Sequence, residues 1–362
     1  MSTDPGLASW LQLTLTPGLG SAAIRKLLGQ IGLPELILAA PRAQLERIAG
    51  SQAAALKQTS DTAGAVERAL HWASEPGHAI VTLADEAYPR RLLEIADPPP
   101  LLYAVGRTEL LSRSSLAMVG SRNATAQGKR DAERFAEALS AAGLSIVSGL
   151  AAGIDAAAHR GGLSAAGSTI AVLGTGVDVV YPRQNAELAS RIAQSGLLLS
   201  EFPLGTGIAG HHFPRRNRLI SGLTLGCLVV EAALASGSLI TARCALEQGR
   251  EVFAIPGSIH SPVSKGCHAL LKQGAKLVES AEDVLCELGA FRPVAANARH
   301  ASVSTPSPDE GLLAHMGFDP IDVDSLCARS GQSAERVSAD LLRLELEGRV
   351  ATLPGGNFQR LS

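Results

Sequence analysis

Arginine is concentrated in one short segment, at Arg215, Arg216 and Arg218, with Asn217 among them. Phe213 precedes this cluster, and no acidic residue occurs between Glu201 and Glu231. Guanidinium groups resist burial unless they are paired, and a merely solvated face usually mixes positive and negative residues. The segment Phe213–Gly222 therefore predicts a site for an anionic ligand, with Phe213 placed to stack on a base.

Strands and helices alternate through the middle of the chain and must position these residues. Apolar strands are predicted at 116–119, 144–147, 169–173, 197–200, 227–230, 252–255 and 276–278, after a short strand at 101–106. Helical stretches are predicted at 126–142, 154–166, 185–194 and 239–248. Strands rich in Val, Ile and Leu that alternate with helices indicate an α/β fold, a doubly wound Rossmann-like parallel sheet.

The strand-to-helix turns of such a sheet lie on one edge, where ligands bind. These turns carry small residues at Gly120, Ser121, Ser148, Gly149, Gly153, Gly174, Gly176, Ser236, Gly237 and Ser238. Small residues let backbone N–H groups and helix N-termini approach phosphates. Arg122 lies in one of the turns, and Lys265 lies in a further acid-free basic stretch. Basic clusters and Gly/Ser turns that converge on one groove predict a site for single-stranded nucleic acid, formed by these residues and the Phe213–Arg218 segment.

Motifs for other chemistry are weak or missing in the sequence. Glu201 and Glu231 would suit an acid–base pair, but we expect each to accept hydrogen bonds from turn N–H groups or to pair with a cluster arginine. Asp155 and Asp178 are expected to cap or brace turns. Residues 174–176 lack the third glycine of a dinucleotide fingerprint, and neither a GxxxxGK[ST] loop nor a GxSxG motif occurs. We therefore predict no catalytic residue, no cofactor and no metal.

The overall composition describes a soluble protein of two or three domains. The 362 residues are 46% hydrophobic and 18% charged, with a net charge of −2, so any polyanion site must be a local basic patch. The five cysteines have no CxxC spacing, which favours reduced thiols over disulfides or zinc. The N-terminus lacks a signal-peptide pattern and no apolar run reaches membrane-spanning length. We expect a cytoplasmic protein with no membrane partner.

The flanking regions differ from the middle of the chain. Residues 1–80 are predicted as a helical domain in which the PGLG turn at 17–20 resembles a helix-hairpin-helix element, although a plain tight turn is favoured. Residues 81–290 form the predicted Rossmann-like domain, and the Pro-, Ser- and Ala-rich residues 291–309 form a linker. Residues 310–362 have the pattern of a winged helix. Its second helix mixes acids with arginines, which favours a protein contact at least as much as DNA binding.

Seven motifs, in order along the chain, resemble the DprA/Smf family of DNA-processing proteins over roughly residues 79–288. They are Gly120-Ser121-Arg122; residues 148–155 with Ala158-His159; Gly174-Thr175-Gly176 with Tyr181-Pro182; residues 200–203; residues 213–223; Glu231-Ala232 with residues 236–242; and residues 249–254 with Pro256-Gly257. One departure is visible, because Gly266-Cys267-His268 stands where the family usually has Gly-x-Asn.

The resemblance implies a protein that binds single-stranded DNA without cutting it. It also implies protection of incoming DNA during natural transformation, loading of the RecA recombinase, a homodimer formed through the Rossmann-like domain and an N-terminal domain of the sterile-alpha-motif type. By motif position, Arg122 and the Phe213–Arg218 segment would line the DNA groove.

The alternative is a nucleotide phosphoribohydrolase of the lysine-decarboxylase-like (LOG) family. That family carries PGGxGTxxE, and when Thr241 is placed on its threonine, Cys244 occupies the position of the essential glutamate. The substitution removes the acid–base group, so the sequence favours the binding protein.

Overall fold

The computed structural model describes residues 5–57, 62–289 and 311–361. The chain begins with helices α1 (Pro5–Leu15), α2 (Ser21–Ile31), α3 (Pro34–Ala39), α4 (Arg42–Ala49) and α5 (Ala63–Ala73). Their apolar faces meet in a core that includes Leu13, Ile24 and Leu27, all fully or almost fully buried. Burial of these regularly spaced side chains explains why the first part of the chain is helical.

The described strands of the central region form a nine-stranded sheet. The strands are β1 (His78–Thr82), β2 (Leu101–Gly106), β3 (Ser115–Val119), β4 (Ser145–Ser148), β5 (Thr169–Val172), β6 (Leu197–Ser200), β7 (Gly226–Val229), β8 (Glu251–Ala254) and β9 (Lys276–Leu277). Their order is β1-β2-β6-β5-β4-β3-β7-β8-β9, with β3 to β9 parallel and β1 and β2 antiparallel at one edge. The predicted Rossmann-like parallel sheet is confirmed, with an antiparallel edge that the sequence did not indicate.

Helices cover both faces of this sheet. They are α6 (Ala126–Ala141), α7 (Ile154–Leu163), α8 (Ala186–Ser195), α9 (His212–Gly222), α10 (Ser238–Glu247), α11 (Lys265–Lys272) and α12 (Ala281–Glu287). Alternate residues of β3 point to opposite faces, so Leu116 and Met118 pack with α6 and α7 while Ala117 and Val119 pack with α9 and α10. Burial on both faces explains the continuous apolar runs of the strands.

Helix α9, which contains the arginine cluster, was not predicted from the sequence, and neither were α11, α12 and β1. Pro214 is the third residue of this helix, where the first turn tolerates proline because its N–H would have no intrahelical partner. The buried residues Leu219 and Ile220 pack on the sheet only in the second half of the helix. The first half of the helix is polar and contains a proline, so it lacks the regular spacing of apolar residues from which a helix is predicted.

The chain changes direction at β3. Strands β4, β5 and β6 follow on one side of it, whereas β7, β8 and β9 follow on the other. The loops after β3 and β7 therefore diverge and leave a crevice at the carboxyl ends of the strands, which is where ligands bind in open α/β sheets.

The C-terminal part contains β10 (Ile321–Asp322), α13 (Val323–Ser330), α14 (Ala334–Leu346), β11 (Val350–Leu353) and β12 (Asn357–Arg360), the arrangement of a winged helix. The Ser333 hydroxyl caps α14 by accepting a hydrogen bond from the N–H of Arg336. This part contacts α6, where Arg130 donates to the carbonyls of Leu361 (3.0 Å) and Gly348 (3.1 Å).

The predicted linker, 291–309, lies outside the described residues. None of the helices in the described ranges is long and apolar enough to cross a membrane.

Candidate nucleic-acid interface

A cleft of about 710 Å³ opens at the crevice between the loops after β3 and β7. Its walls are residues 119–123 after β3, Tyr181, one side of α9, residues 233–238 after β7 and the start of α10. Nine of the predicted binding residues meet there: Gly120, Ser121, Arg122, Phe213, Arg216, Asn217, Ser236, Gly237 and Ser238.

Glu231 holds the loop after β3 in place. Its carboxylate accepts hydrogen bonds from the N–H of Thr125 (2.9 Å) and from the hydroxyl of Thr125 (2.6 Å), while its backbone carbonyl accepts from the N–H of Ser121 (2.7 Å). A side chain at Gly120 would meet that carbonyl, because a Cβ there would lie 2.8 Å from the Glu231 oxygen. Glu231 is therefore structural, which confirms the interpretation that it binds turn groups.

Arg122 and two aromatic rings form a cluster at the mouth of the cleft. The Arg122 guanidinium carbon lies 5.8 Å from the centre of the Phe213 ring, and the Tyr181 ring centre lies 5.6 Å from the same ring. Arg122 is exposed, and among the described residues it forms no salt bridge. Gly174 makes room for Phe213, since a Cβ at Gly174 would lie 2.8 Å from the ring. An unpaired guanidinium beside the exposed ring of Tyr181 and the half-buried ring of Phe213 is suited to phosphates and bases.

The arginine cluster does not form one wall, because the helix turns about 100° per residue. Phe213 and Asn217 are one turn apart and face the cleft. Arg215 and Arg218 lie on the other side of α9, and neither lines the cleft. The sequence analysis placed all three arginines together, and the helical geometry separates them.

Arg216 faces the floor of the cleft but is bound internally. It is 4% exposed, and its guanidinium donates to the carbonyls of Gly149 (2.8 Å) and Val172. Gly149 is needed because a Cβ there would lie 2.6 Å from the guanidinium. Burial lowers the pKa of Arg216 to about 10, and nearby Asp155 opposes that change. The prediction that Arg216 offers its charge to a ligand is corrected: its donors hold two loops together.

Arg218 and Arg215 share the buried carboxylate of Glu201. Arg218 lies 2.5 Å and Arg215 lies 3.1 Å from the same carboxylate oxygen. Burial raises the pKa of Glu201, and the two guanidinium groups oppose that rise. This pairing confirms the interpretation of Glu201 as a partner of the arginines. It also corrects the prediction for Arg218, whose side chain is 15% exposed and committed to ion pairs.

The start of α10 lines the cleft with small residues, and its first N–H groups are bound within the turn, since Leu239 donates to the Ser236 carbonyl (3.1 Å) and Ile240 donates to the Gly237 carbonyl (3.1 Å). The hydroxyls of Ser236 and Ser238 lie 2.6 Å apart, and the Asn217 amide donates across the cleft to the Gly237 carbonyl (3.5 Å). The first turn of α10 carries no acidic residue. A helix N-terminus with small residues and no carboxylate favours a phosphate.

The other predicted turn residues support the cleft from behind. Ser148 is buried and donates to the Met118 carbonyl (2.6 Å), and Gly153, with φ of 80°, starts α7 against the Ser121 carbonyl. Gly176 packs against Asp178, whose carboxylate accepts from the N–H of Gly205 (2.9 Å).

Buried polar groups fix the loop after β4. Asp155 accepts hydrogen bonds from the N–H groups of Gly149 (3.1 Å) and Ala151 (3.3 Å), which confirms that it braces a turn. The neighbouring imidazole of His159 accepts from the N–H of Leu150 (3.2 Å) and donates to Thr169 (2.7 Å). Burial lowers the pKa of His159 to about 3, so the ring is neutral at physiological pH.

Lys265 does not reach the cleft. Its ammonium group donates to the carbonyl of Ile259, and His268, at the position of the family asparagine, donates to the Gly257 carbonyl (3.0 Å).

Sequence reasoning missed Tyr181 and Asn123, which line the cleft. Tyr181 stood in a quoted motif, and its aromatic ring was the available signal. In the part of the chain that the structure describes, no cluster of three or more His, Cys, Asp or Glu side chains could hold a metal ion.

The fold and this cleft define a Rossmann-like protein with a basic and aromatic crevice at the topological switch point. Residues 79–289 match the family described as DNA recombination-mediator protein A, and residues 281–356 match the DprA winged helix domain. The chain therefore belongs to the DprA/Smf family of DNA-processing proteins.

Known proteins support this assignment. Protein Smf of Escherichia coli is 46% identical over 298 residues, which are 80% of this chain and 80% of that protein. The structure of DNA processing protein A from Streptococcus pneumoniae is 39% identical, with a TM-score of 0.70, covering 77% of this chain and 97% of that one. The protein of the same name from Helicobacter pylori, described as having a unique single-stranded DNA binding mode, is 32% identical with a TM-score of 0.53, covering 58% of this chain and 95% of that one.

Proposed function

We propose that this protein binds single-stranded DNA without sequence preference in the cleft between the loops after β3 and β7. The observation that carries the proposal is the exposed Arg122 beside the rings of Phe213 and Tyr181, next to the acid-free start of α10. Arg122 and the positive N-terminal end of the α10 dipole attract phosphates. The rings bind bases by stacking, which tolerates any sequence because every base has a π-face.

Membership of the family supports the cellular role that we propose. The protein protects incoming single strands during natural transformation in the cytoplasm and loads RecA recombinase onto them, as a homodimer formed through the Rossmann-like domain. It performs no chemical step on the DNA. Supporting this role, the carboxylates of Glu201 and Glu231, which the sequence analysis considered for acid–base work, are each engaged in separate structural contacts.

The phosphoribohydrolase alternative lacks support at its key position. Cys244, which replaces the glutamate, is a half-buried free thiol whose pKa is raised by burial. A thiol with a raised pKa does not replace a carboxylate as a general base at neutral pH. Incubation with AMP tests the alternative, and release of free adenine would establish an enzyme.

Fluorescence anisotropy with labelled oligo-dT and oligo-dA tests the binding function. We expect similar affinities for both sequences, weaker binding to duplex DNA and a steep loss of affinity with salt. Binding that is insensitive to salt, or confined to one sequence, contradicts the proposal. RecA filament formation on DNA already coated with single-strand-binding protein, measured with and without this protein, tests the loading role.

A further inference from the structure

The connector between β1 and β2, residues 88–100, lies against the second half of α9. Leu92 of the connector is fully buried and Ile95 is 5% exposed. Both side chains lie over Gly222 of α9, where an added Cβ would be 2.9 Å from each of them, so only glycine fits at this position of the helix. The connector is therefore a close-packed support for α9.

Arg25 of α2 holds the connector from the side of the N-terminal helices. Its guanidinium lies 2.5 Å from the Asp97 carboxylate and donates to the carbonyls of Pro98 (3.0 Å) and Ala96 (3.5 Å). One side chain therefore binds three consecutive residues of the connector. The Arg25 side chain is 23% exposed, and its partial burial strengthens this ion pair relative to a pair in open water.

Arg218 of α9 holds the same residue of the connector from the other side. Its guanidinium donates to the backbone carbonyl of Asp97 (2.6 Å) and lies 3.5 Å from the Asp97 carboxylate. The two carboxylate oxygens are divided between the two arginines, since Arg25 pairs with Oδ1 and Arg218 pairs with Oδ2. Asp97 therefore links the N-terminal helices to α9.

The position of α9 determines where the Phe213 ring lies in the cleft. Leu219 and Ile220, which pack α9 into the core, belong to its second half. Phe213 belongs to its first turn, about 7.5 Å along the helix axis from Arg218. The ring has little room to move, since a Cβ at Gly174 would lie 2.8 Å from it. A small rotation of α9 therefore displaces the ring from its place beside Gly174.

We propose that Arg25 is a positioning residue for DNA binding. Through Asp97 and Arg218 it holds α9 in the orientation that places Phe213 in the cleft, although Arg25 itself does not line the cleft. The proposal rests on the proposed function of the cleft. It assigns the N-terminal helices a part in DNA binding that requires no contact between these helices and the strand.

Arg25→Ala removes the link from the N-terminal helices and leaves Asp97 bound to Arg218. Alanine is a favourable helix residue, so α2 is retained. The affinity for oligo-dT, measured by fluorescence anisotropy, should fall about three- to tenfold, as for other residues that act on a site at a distance. The slope of log affinity against log salt concentration should remain that of the wild type, because no phosphate contact is lost.

The matched control is Arg42→Ala. Arg42 belongs to α4 and pairs with Glu46 of the same helix at 2.7 Å. Its replacement removes the same charge from the N-terminal helices but leaves the link to the connector intact, so R42A should bind oligo-dT as the wild type does. Asp97→Asn is a second test variant, which weakens the link without changing the size of the side chain and should also lower the affinity.

A double-mutant cycle with Phe213→Leu tests the route of the effect. If Arg25 acts by placing the Phe213 ring, R25A should weaken binding by less than about twofold in an F213L background, because the ring is already absent. Independent contributions to binding would multiply instead.

The outcomes separate this proposal from the function of the cleft. Wild-type affinity in both R25A and D97N overturns the role of Arg25, whereas the cleft remains supported. An equal loss in R25A and R42A, or a lower salt slope in R25A, also overturns it, since either result reflects general attraction of DNA by positive charge. An undiminished loss in the F213L background overturns it as well, because the effect then bypasses the ring. If the wild type binds no oligo-dT at all, the function of the cleft has failed and the role of Arg25 fails with it.

Discussion

Two arginines of this protein should respond in opposite ways to replacement by alanine, although the sequence gives no reason to distinguish them. Arg122 is exposed and free of salt bridges in the described part of the chain, whereas Arg218 is bound to Glu201 and Asp97. Arg122→Ala should therefore remove a DNA contact, and Arg218→Ala should remove a structural one. The comparison tests the assignment of the cleft directly.

The effect of Arg122→Ala follows from counterion release. Each phosphate contact with a single strand contributes about 0.7 to the slope of log affinity against log salt concentration. Loss of one contact should lower the slope by about 0.7. When the salt concentration rises from about 50 to about 200 mM, the affinity of R122A for DNA should therefore fall by a factor about 2.5 times smaller than the affinity of the wild type. The free energy of unfolding should change by less than about 0.5 kcal/mol, as for other exposed substitutions.

The effect of Arg218→Ala follows from the charge that it leaves behind. The Glu201 side chain is 2% exposed and would keep only Arg215 as a partner. Breaking a buried ion pair by removing one partner costs about 3 kcal/mol, which lowers the Tm of a domain of this size by about 6–12 °C. The salt slope should change much less than it does in R122A.

Anisotropy titrations at several salt concentrations and thermal melts of both variants provide the measurements. An unchanged salt slope in R122A would show that Arg122 does not contact phosphate. A melting temperature for R218A equal to that of the wild type would show that the ion pairs of Arg218 contribute nothing to stability.

Three further substitutions address stacking, pH and backbone conformation. Phe213→Leu should keep the fold but weaken binding of oligo-dT by about tenfold, since stacking contributes about 1–3 kcal/mol per base; equal affinity in anisotropy would exclude stacking on this ring. His159 has a pKa lowered to about 3, so the unfolded chain takes up a proton before the folded one and stability falls as the pH drops below about 6.5. Urea titrations should show that the wild type loses about 2 kcal/mol more than His159→Gln between pH 7 and pH 5, and parallel losses would contradict this. Gly153→Ala should cost more than about 3 kcal/mol, because φ is 80° and a Cβ would lie 2.2 Å from the Ser121 carbonyl; a wild-type melting curve would refute it.

Local patterns were sufficient to predict most of the sheet domain. The parallel strands from β3 to β9 were predicted to within two residues, because burial on both faces selects continuous apolar runs that the sequence displays. Strand β1 was missed because only Val81 and Thr82 of its five residues are buried, so it lacks the pattern of a strand buried on both faces. Its pairing with β2, and the antiparallel edge that they form, depend on contacts distant in sequence and therefore leave no local pattern.

The sequence by itself determined the family, the class of fold and the presence of a basic and aromatic site on one edge of the sheet. It did so because strand periodicity, glycine turns and acid-free stretches are local properties of the chain. Tertiary structure alone decided what each arginine does. Residues Phe213 to Arg218 belong to a helix, and its rotation of about 100° per residue sends neighbouring side chains to a cleft, a buried floor and an ion-pair cluster. Partners from other elements, such as Gly149 and Glu201, then fix whether a guanidinium holds the protein together or remains open to DNA.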